Sequence, residues 1–383
     1  MKKALVILLV VATMTCLFAS GANEAQSSAE KHTLAVSVPL TGSMAQYGQS
    51  YINGITLAVE DFNKKGGLNG QDVVIKVNDD AGNQTEALNI ANLIAEDKDV
   101  FAFVGSYGSS TSLVMAPIMQ EARIPMVSPN TSHPDFFEIG DMMMPLSAMS
   151  NICFDEVGRV IVKDYSPKKI GMIYQNNDSG VTIDETFKKV FKELNVGYAS
   201  QAFTAGESND YTPIISSLCQ SGIDTLIICA DYSSGSQIVI QTKQLGYSSL
   251  RLVGISNMLK PQLLGLCGEY GEGMIFCSVQ RLYTDDVLAA NDYGAYCMDI
   301  INRYKQAYPN VMFDSAAALA YDAATLACYA AKEVGTNNPE ALVKYMKELH
   351  NELCSGKAWF AENGDFYRGV YSYKIENGQY IML

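Results

Sequence analysis

Three short segments of this chain carry the residues best suited to hold a charged small molecule. Ser109-Ser110-Thr111 follows the apolar run that ends in Val104-Gly105-Ser106 and opens a helical pattern. Hydroxyls and free first-turn N–H groups there face whatever lies beyond the strand end, which suits a carboxylate; the same residues also serve as an ordinary helix cap. Ser128-Pro129-Asn130-Thr131-Ser132 follows a second short apolar run, and taken alone it reads as a turn. Ala230-Asp231-Tyr232 follows Leu226-Ile227-Ile228-Cys229. Asp231 either pairs with an ammonium or caps the helix that starts near Ser234. Tyr47, in Gln46-Tyr47-Gly48, is either an aromatic wall or an exposed turn residue.

Reaction chemistry has little to work with. The three histidines, His32, His133 and His350, have no partner spacing that suggests a metal or a nucleophile triad. No Walker or nucleotide-binding glycine motif occurs, no Gly-x-Ser-x-Gly elbow and no His-Glu-x-x-His. No enzyme, cofactor or metal is expected.

The N-terminus reads as an export signal: Lys2 and Lys3 precede an apolar run from Ala4 to Ala12, too short for a membrane span of about 20 residues. Cys16 closes the run and is the candidate for lipidation, with ordinary cleavage near Ala19 or Ala22 as the alternative. Residues 1–22 are taken as signal and the small polar residues 23–31 as a tether. Without Lys2 and Lys3 the 27 basic residues fall to 25 against 41 acidic, a balance of −16 that disfavours nucleic acid and anionic lipid as partners. Eight cysteines lie beyond Cys16, most in apolar contexts where a free thiol packs as a small hydrophobe. Free thiols are expected for most of them, with Cys267 and Cys277 the first pair to test.

The elements that must position these residues alternate. Strands are predicted at 34–38, 72–78, 100–104 and 125–128, with helices over 47–65, 83–96 and 111–121 between and after them. The pattern restarts after Met149: helix 155–164, strand 169–174, helix 180–194, strand 198–203, helix 211–221, strand 225–229, helix 234–245, strand 252–254. Helices over 290–308, 315–334 and 340–348 and a hairpin-rich tail complete the chain. Such alternation predicts an α/β fold of two parallel sheets covered by helices. The helices after Gln280 are expected to pack on the first unit.

The motif set resembles the type I periplasmic solute-binding proteins of ABC importers, in the branched-chain amino-acid (Leu/Ile/Val) group. It consists of Pro39 to Gly48, Gly54 to Gly70, Val77-Asn78-Asp79-Asp80, Val104-Gly105-Ser106 with Ser109-Ser110-Thr111, Val127 to Ser132, Ala320-Tyr321-Asp322-Ala323, and Trp359-Phe360 with Gly364-Asp365. The resemblance implies two flavodoxin-like lobes joined by three crossovers near Ala148, Val279 and Ser355, with residues 32–148 plus 280–354 in one lobe and 149–279 plus 355–383 in the other. It also implies a ligand held in the cleft by hinge closure. By position, the Asn130 carbonyl and Ser132 hydroxyl accept from the ligand ammonium, Thr131 and Ser132 N–H groups help hold its carboxylate, Tyr47 lines the side-chain pocket and Tyr232 closes over it.

Two departures bear on the ligand. Where branched-chain binders commonly carry an acidic residue, this chain has Ile255-Ser256-Asn257-Met258, so Ser256 leaves that position neutral. Where many carry an aromatic, Ser179 leaves a roomier pocket. A buried ammonium needs a carboxylate partner, so either Asp231 or Asp178 supplies it or the ligand is not a standard α-amino acid. The expected role is extracytoplasmic capture of a small zwitterion for an ABC permease, by a monomer. A ligand sensor serving a membrane signalling partner and a binder of a non-amino-acid carboxylate are the alternatives. A transcriptional repressor of the same fold is excluded because an export signal stands where a helix-turn-helix is needed.

Overall fold

The structure, a computed structural model, describes residues 32–383 except Ser43, Ala205, Ser256, Asn257, Asn351 and Asn363, and excepting the side chains of Asp178 and Ala290. The expected signal, Cys16 and the tether lie outside the described residues, as does Ser256.

Two sheets organise the chain. The first contains β1 (His32–Val38), β2 (Val73–Asp79), β3 (Val100–Gly105), β4 (Met126–Ser128) and β5 (Met143–Pro145), all parallel, in the order β2-β1-β3-β4-β5. Its helices are α1 (Ala45–Lys64), α2 (Gln84–Glu96), α3 (Ser109–Glu121) and the short α4 (Pro134–Glu138). The second sheet begins with β6 (Lys169–Gln175), β7 (Gly197–Phe203), β8 (Thr225–Cys229), β9 (Arg251–Ile255) and β10 (Ile275–Ser278). These run β7-β6-β8-β9-β10, the same doubly wound order as the first sheet. Helices α5 (Ser150–Tyr165), α6 (Asp178–Glu193), α7 (Thr212–Gln220), α8 (Tyr232–Gln244) and α9 (Pro261–Cys267) alternate with them.

The central strands explain the hydrophobic runs of the sequence. β3 is buried over five of its six residues and β8 over all five, because a parallel sheet covered on both faces has no solvent side. β2, at an edge, buries only Val73 and reads as mixed.

Beyond β10 come α10 (Asp285–Ala290), α11 (Ala295–Ala307), α12 (Ser315–Val334) and α13 (Pro339–Lys347). The continuous helix expected over 290–308 is broken. Asn291 is extended, the Asp292 carboxylate accepts from Gly294 N–H at 2.8 Å, and Gly294 takes φ +78°, so α11 starts afresh at Ala295. α12 lies along α1, so closely that a Cβ on Gly54 would stand 2.3 Å from the Ala317 carbonyl oxygen. The chain returns to the second sheet through β13 (Tyr371–Glu376), antiparallel to β10, and β14 (Gln379–Met382). The β13–β14 turn has Asn377 and Gly378 both at positive φ, as the Asn-Gly signal predicts. A separate hairpin pairs β11 (Ala358–Phe360) with β12 (Phe366–Arg368).

Passages after β5, after β10 and before β11 link elements around the two sheets, and α10, after β10, still packs on β14 of the second. Arg368, almost fully buried, ties two of these passages together: it donates to the Leu146 carbonyl at 2.9 Å and to the Ser355 carbonyl at 2.6 Å. Asp322, in the middle of α12, accepts from Cys354 N–H at 2.9 Å and Ser355 N–H at 2.8 Å. Burial pushes the Asp322 carboxyl up to about 6, partly offset by those hydrogen bonds.

Candidate functional site

In open α/β sheets, ligands gather outside the carboxyl ends of strands, where the strand order reverses. Here the loops after β1, β3, β4 and β5 and those after β6, β8, β9 and β10 all reach one cavity of about 470 Å³. That volume suits a small organic ligand. A second cavity of about 510 Å³, between Arg281, Tyr293, Glu352, Lys357 and Tyr371, takes nothing from the loops after β1, β3, β4, β6 or β8.

Six of the nine ligand residues expected from sequence line the 470 Å³ cavity: Tyr47, Asn130, Ser132, Ser179, Asp231 and Tyr232. Tyr47 is set by the first turn of α1, where Gly48 lets the helix ride on the preceding loop; a Cβ on Gly48 would fall 1.9 Å from the Pro39 carbonyl oxygen. Its ring stacks on Tyr107 at 4.9 Å between centroids, and Tyr107 meets Tyr51 edge-on at 5.4 Å. These three rings make one aromatic wall.

Ser132 accepts from the Ser150 hydroxyl at 3.1 Å, which leaves its own O–H and one lone pair for another partner. Ser179 lies in the first turn of α6, whose cap is Asn177, the acceptor from Gly180 N–H at 2.8 Å. Tyr232, in the first turn of α8, is 37% exposed.

Two expected residues, Ser109 and Thr131, do not line this cavity, and Ser256 is not described. Ser109 opens α3 but is not on the wall; Tyr107 is. The extended Gly108 forms the cap, and the first-turn Thr111 hydroxyl is spent on Gly108 O and the Ser106 hydroxyl, both at 2.9 Å. Thr131 is fully buried. Its N–H donates to the Ser128 hydroxyl at 3.2 Å and its hydroxyl to Ser112 at 2.7 Å, so the N–H expected to hold a carboxylate is already satisfied. Asp231 resolves toward capping: Oδ1 accepts from Ser233 N–H at 2.8 Å and Ser234 N–H at 3.0 Å, and Oδ2 from the Ser234 hydroxyl at 2.8 Å.

Among the wall residues that sequence reasoning missed are Asp314, Tyr51 and Lys260. Asp314 caps α12, accepting from Ala317 N–H at 2.8 Å through Oδ1 and from the Ser50 hydroxyl at 3.1 Å through Oδ2. Each oxygen keeps one acceptor position, two in all, against one on Asp231. The signal was present as Asp314-Ser315 before an alanine-rich helical run, but it reads as a cap and nothing more. Tyr51 sits one turn after Tyr47, fully buried, and its hydroxyl has no hydrogen-bond partner among the described residues. Burial foremost, then the nearby Tyr107 and Asp314, hold that phenol well above its ordinary pKa. Lys260 brings the cavity's one cationic side chain and makes no ion pair among the described residues.

The model of the family described as periplasmic binding protein matches residues 31–379. The chain belongs to this family. Its members are binding proteins rather than enzymes, and the family places them outside the cytoplasm. Among curated relatives, a leucine-, isoleucine-, valine-, threonine- and alanine-binding protein of Pseudomonas aeruginosa is 24% identical over 340 residues, 88% of each chain. Among solved structures, a putative branched-chain amino acid ABC transporter protein from Rhodospirillum rubrum superposes with a TM-score of 0.80 at 21% identity, covering 92% of this chain and all of that one. A solute-binding protein of R. palustris in complex with benzoate gives 0.70 at 16% identity, covering 92% and 95%. These structures share the α/β fold of parallel sheets seen here. Among the described residues no helix is long and apolar enough to cross a membrane.

Proposed function

We propose that this binding protein captures a small zwitterion, an amino acid of the branched-chain or a related class, and delivers it to an ABC permease. The convergence of eight strand ends from two sheets on one cavity with two carboxylates in its wall carries this reading. Residues 32–148 with 280–354, and 149–279 with 355–383, act as two lobes hinged at the three passages, and closure brings Tyr232 over the ligand. In this reading Asp314 is the ammonium partner, because it retains more acceptor capacity than Asp231, which caps α8. Ser132 and the Asn130 carbonyl contribute from the first lobe, and Ser179 from the second. Relatives named as Leu/Ile/Val binders support the amino-acid class. The protein works as a monomer, held at the membrane surface if Cys16 is acylated.

A second reading, an aromatic carboxylate, draws on the stacked Tyr47 and Tyr107 and on Lys260 as a cation with no ion pair among the described residues. Calorimetric titration against leucine, isoleucine, valine, threonine, alanine and benzoate separates the two. Binding of benzoate with no response to any amino acid would refute the zwitterion assignment.

A further inference from the structure

Eight cysteines lie within the described residues, and all are free thiols in this structure. Cys267 and Cys277, the pair suggested by sequence, make no sulfur contact with each other; the Cys277 thiol instead meets the Ser372 hydroxyl at 3.6 Å. Cys297 and Cys354 differ. Their sulfurs stand 3.1 Å apart, about 1 Å beyond a covalent S–S bond of roughly 2.05 Å, and no other sulfur pair among the described residues is in contact. Cys297 is in the first turn of α11, and Cys354 immediately precedes the third passage between the sheets. Two hydrogen bonds from elsewhere hold the Cys354 backbone: its N–H donates to Asp322 at 2.9 Å and its carbonyl accepts from the Tyr283 hydroxyl at 3.0 Å. The Cys297 thiol also meets the Cys354 carbonyl at 3.4 Å, so the two residues touch through sulfur and oxygen as well as through their sulfurs.

We propose that Cys297 and Cys354 form a disulfide when the chain folds in an oxidising extracytoplasmic compartment, bracing the segment from which the third passage starts. Both side chains are almost wholly buried once folded, so the bond forms while the core is still open. One thiolate attacks the disulfide of an oxidised dithiol carrier to give a mixed disulfide. The second thiolate then displaces the carrier, which leaves as a dithiol holding the two electrons and two protons lost by the cysteines. The bond would close a loop across 57 positions of sequence, which restrains the unfolded chain. Both cysteines lie on the same side of the passage, so the bond braces its origin without joining the two sheets.

The test compares full-length protein exported to an oxidising compartment with the same chain made in a reducing cytosol. Each is denatured in excess alkylating reagent and weighed intact, and the exported protein is mapped without reduction. Among the eight cysteines beyond Cys16, the expected result is six alkyl groups on the exported protein against eight on the cytosolic chain, a linked Cys297–Cys354 peptide, and a melting temperature that falls when reductant is added. The Cys297→Ala, Cys354→Ala double variant should show no response to reductant. Alkylation of all eight cysteines in the exported protein, or a linkage between any other pair, overturns the proposal. The peptide map needs only the wild-type chain, so a poorly folding variant does not protect the idea.

Discussion

Replacing Tyr51 with Phe removes one oxygen from the cavity wall and should move stability and binding in opposite directions. The hydroxyl is fully buried without a partner among the described residues, and leaving such a group unsatisfied costs about 1–3 kcal/mol. In the ligand-free protein Tyr51→Phe should therefore stabilise by about 1 kcal/mol or slightly more, since the ring keeps its contact with Tyr107. For a chain of this size that raises the melting temperature by about 2 °C. If the hydroxyl serves a charged group of the ligand, its loss weakens binding by about 1.5–3 kcal/mol, roughly 10- to 100-fold in Kd. Differential scanning calorimetry without ligand and isothermal titration with leucine measure the two effects on one protein sample. A variant that melts lower than wild type, or binds leucine with unchanged affinity, refutes the argument that this hydroxyl is held in reserve for the ligand.

Three further perturbations test neighbouring steps. Asp314→Asn keeps a good helix cap and should leave the melting temperature nearly unchanged, while leucine affinity drops by roughly 30-fold as a charge-assisted bond is lost; unchanged titration curves would remove Asp314 from the site. Gly54→Ala places a Cβ against the Ala317 carbonyl, and the resulting overpacking should destabilise by about 1–3 kcal/mol in urea unfolding; wild-type stability would contradict the close approach of α1 and α12. Asp322 has a folded-state pKa raised by burial from 3.8 to about 6. Its contribution, up to about 3 kcal/mol, is fully present below pH 3.8 and is lost as pH rises through about 6. Stability measured in steps across that window should fall more steeply in wild type than in Asp322→Asn, and parallel curves would show that Asp322 does not titrate there.

Much of the architecture was legible because parallel strands buried on both faces leave continuous apolar runs, and α12 spans 315–334 as its pattern predicts. What escaped reading was short or irregular. β5 and α4 have three and five residues, too few for any periodicity to register. The break before α11 depends on an Asp292 side-chain turn and a glycine at positive φ, a local choice that outweighs the helical pattern on either side. In the site, the strand-end positions of Asn130, Ser132, Asp231 and Tyr232 follow from the order of elements. Asp314 and Lys260 reach the cavity through connections from distant parts of the chain, and no local pattern announces which way a cap residue or a loop lysine faces.

Hydrogen-bond capacity separates the groups that build this site from those left to act in it. Ser128, Thr131 and Ser112 satisfy one another in a buried chain of hydroxyls, and Asp231 Oδ1 already accepts two N–H bonds. These groups shape the loops, and withdrawing any of them for a ligand would leave a partner unsatisfied, at about 1–3 kcal/mol. Tyr51 Oη, the second acceptor positions of both Asp314 oxygens, the Ser132 O–H and the Lys260 ammonium have no such obligation among the described residues. A ligand that engages them gains hydrogen bonds without breaking any. The residual set contains both signs of charge, with donors and acceptors beside an aromatic wall, and a small zwitterion with an apolar side chain matches it. A simple carboxylate would satisfy Lys260 and the hydroxyls but would leave Asp314 facing a like charge, which is why the carboxylate beside α12 weighs more in the choice of ligand than the tyrosines do.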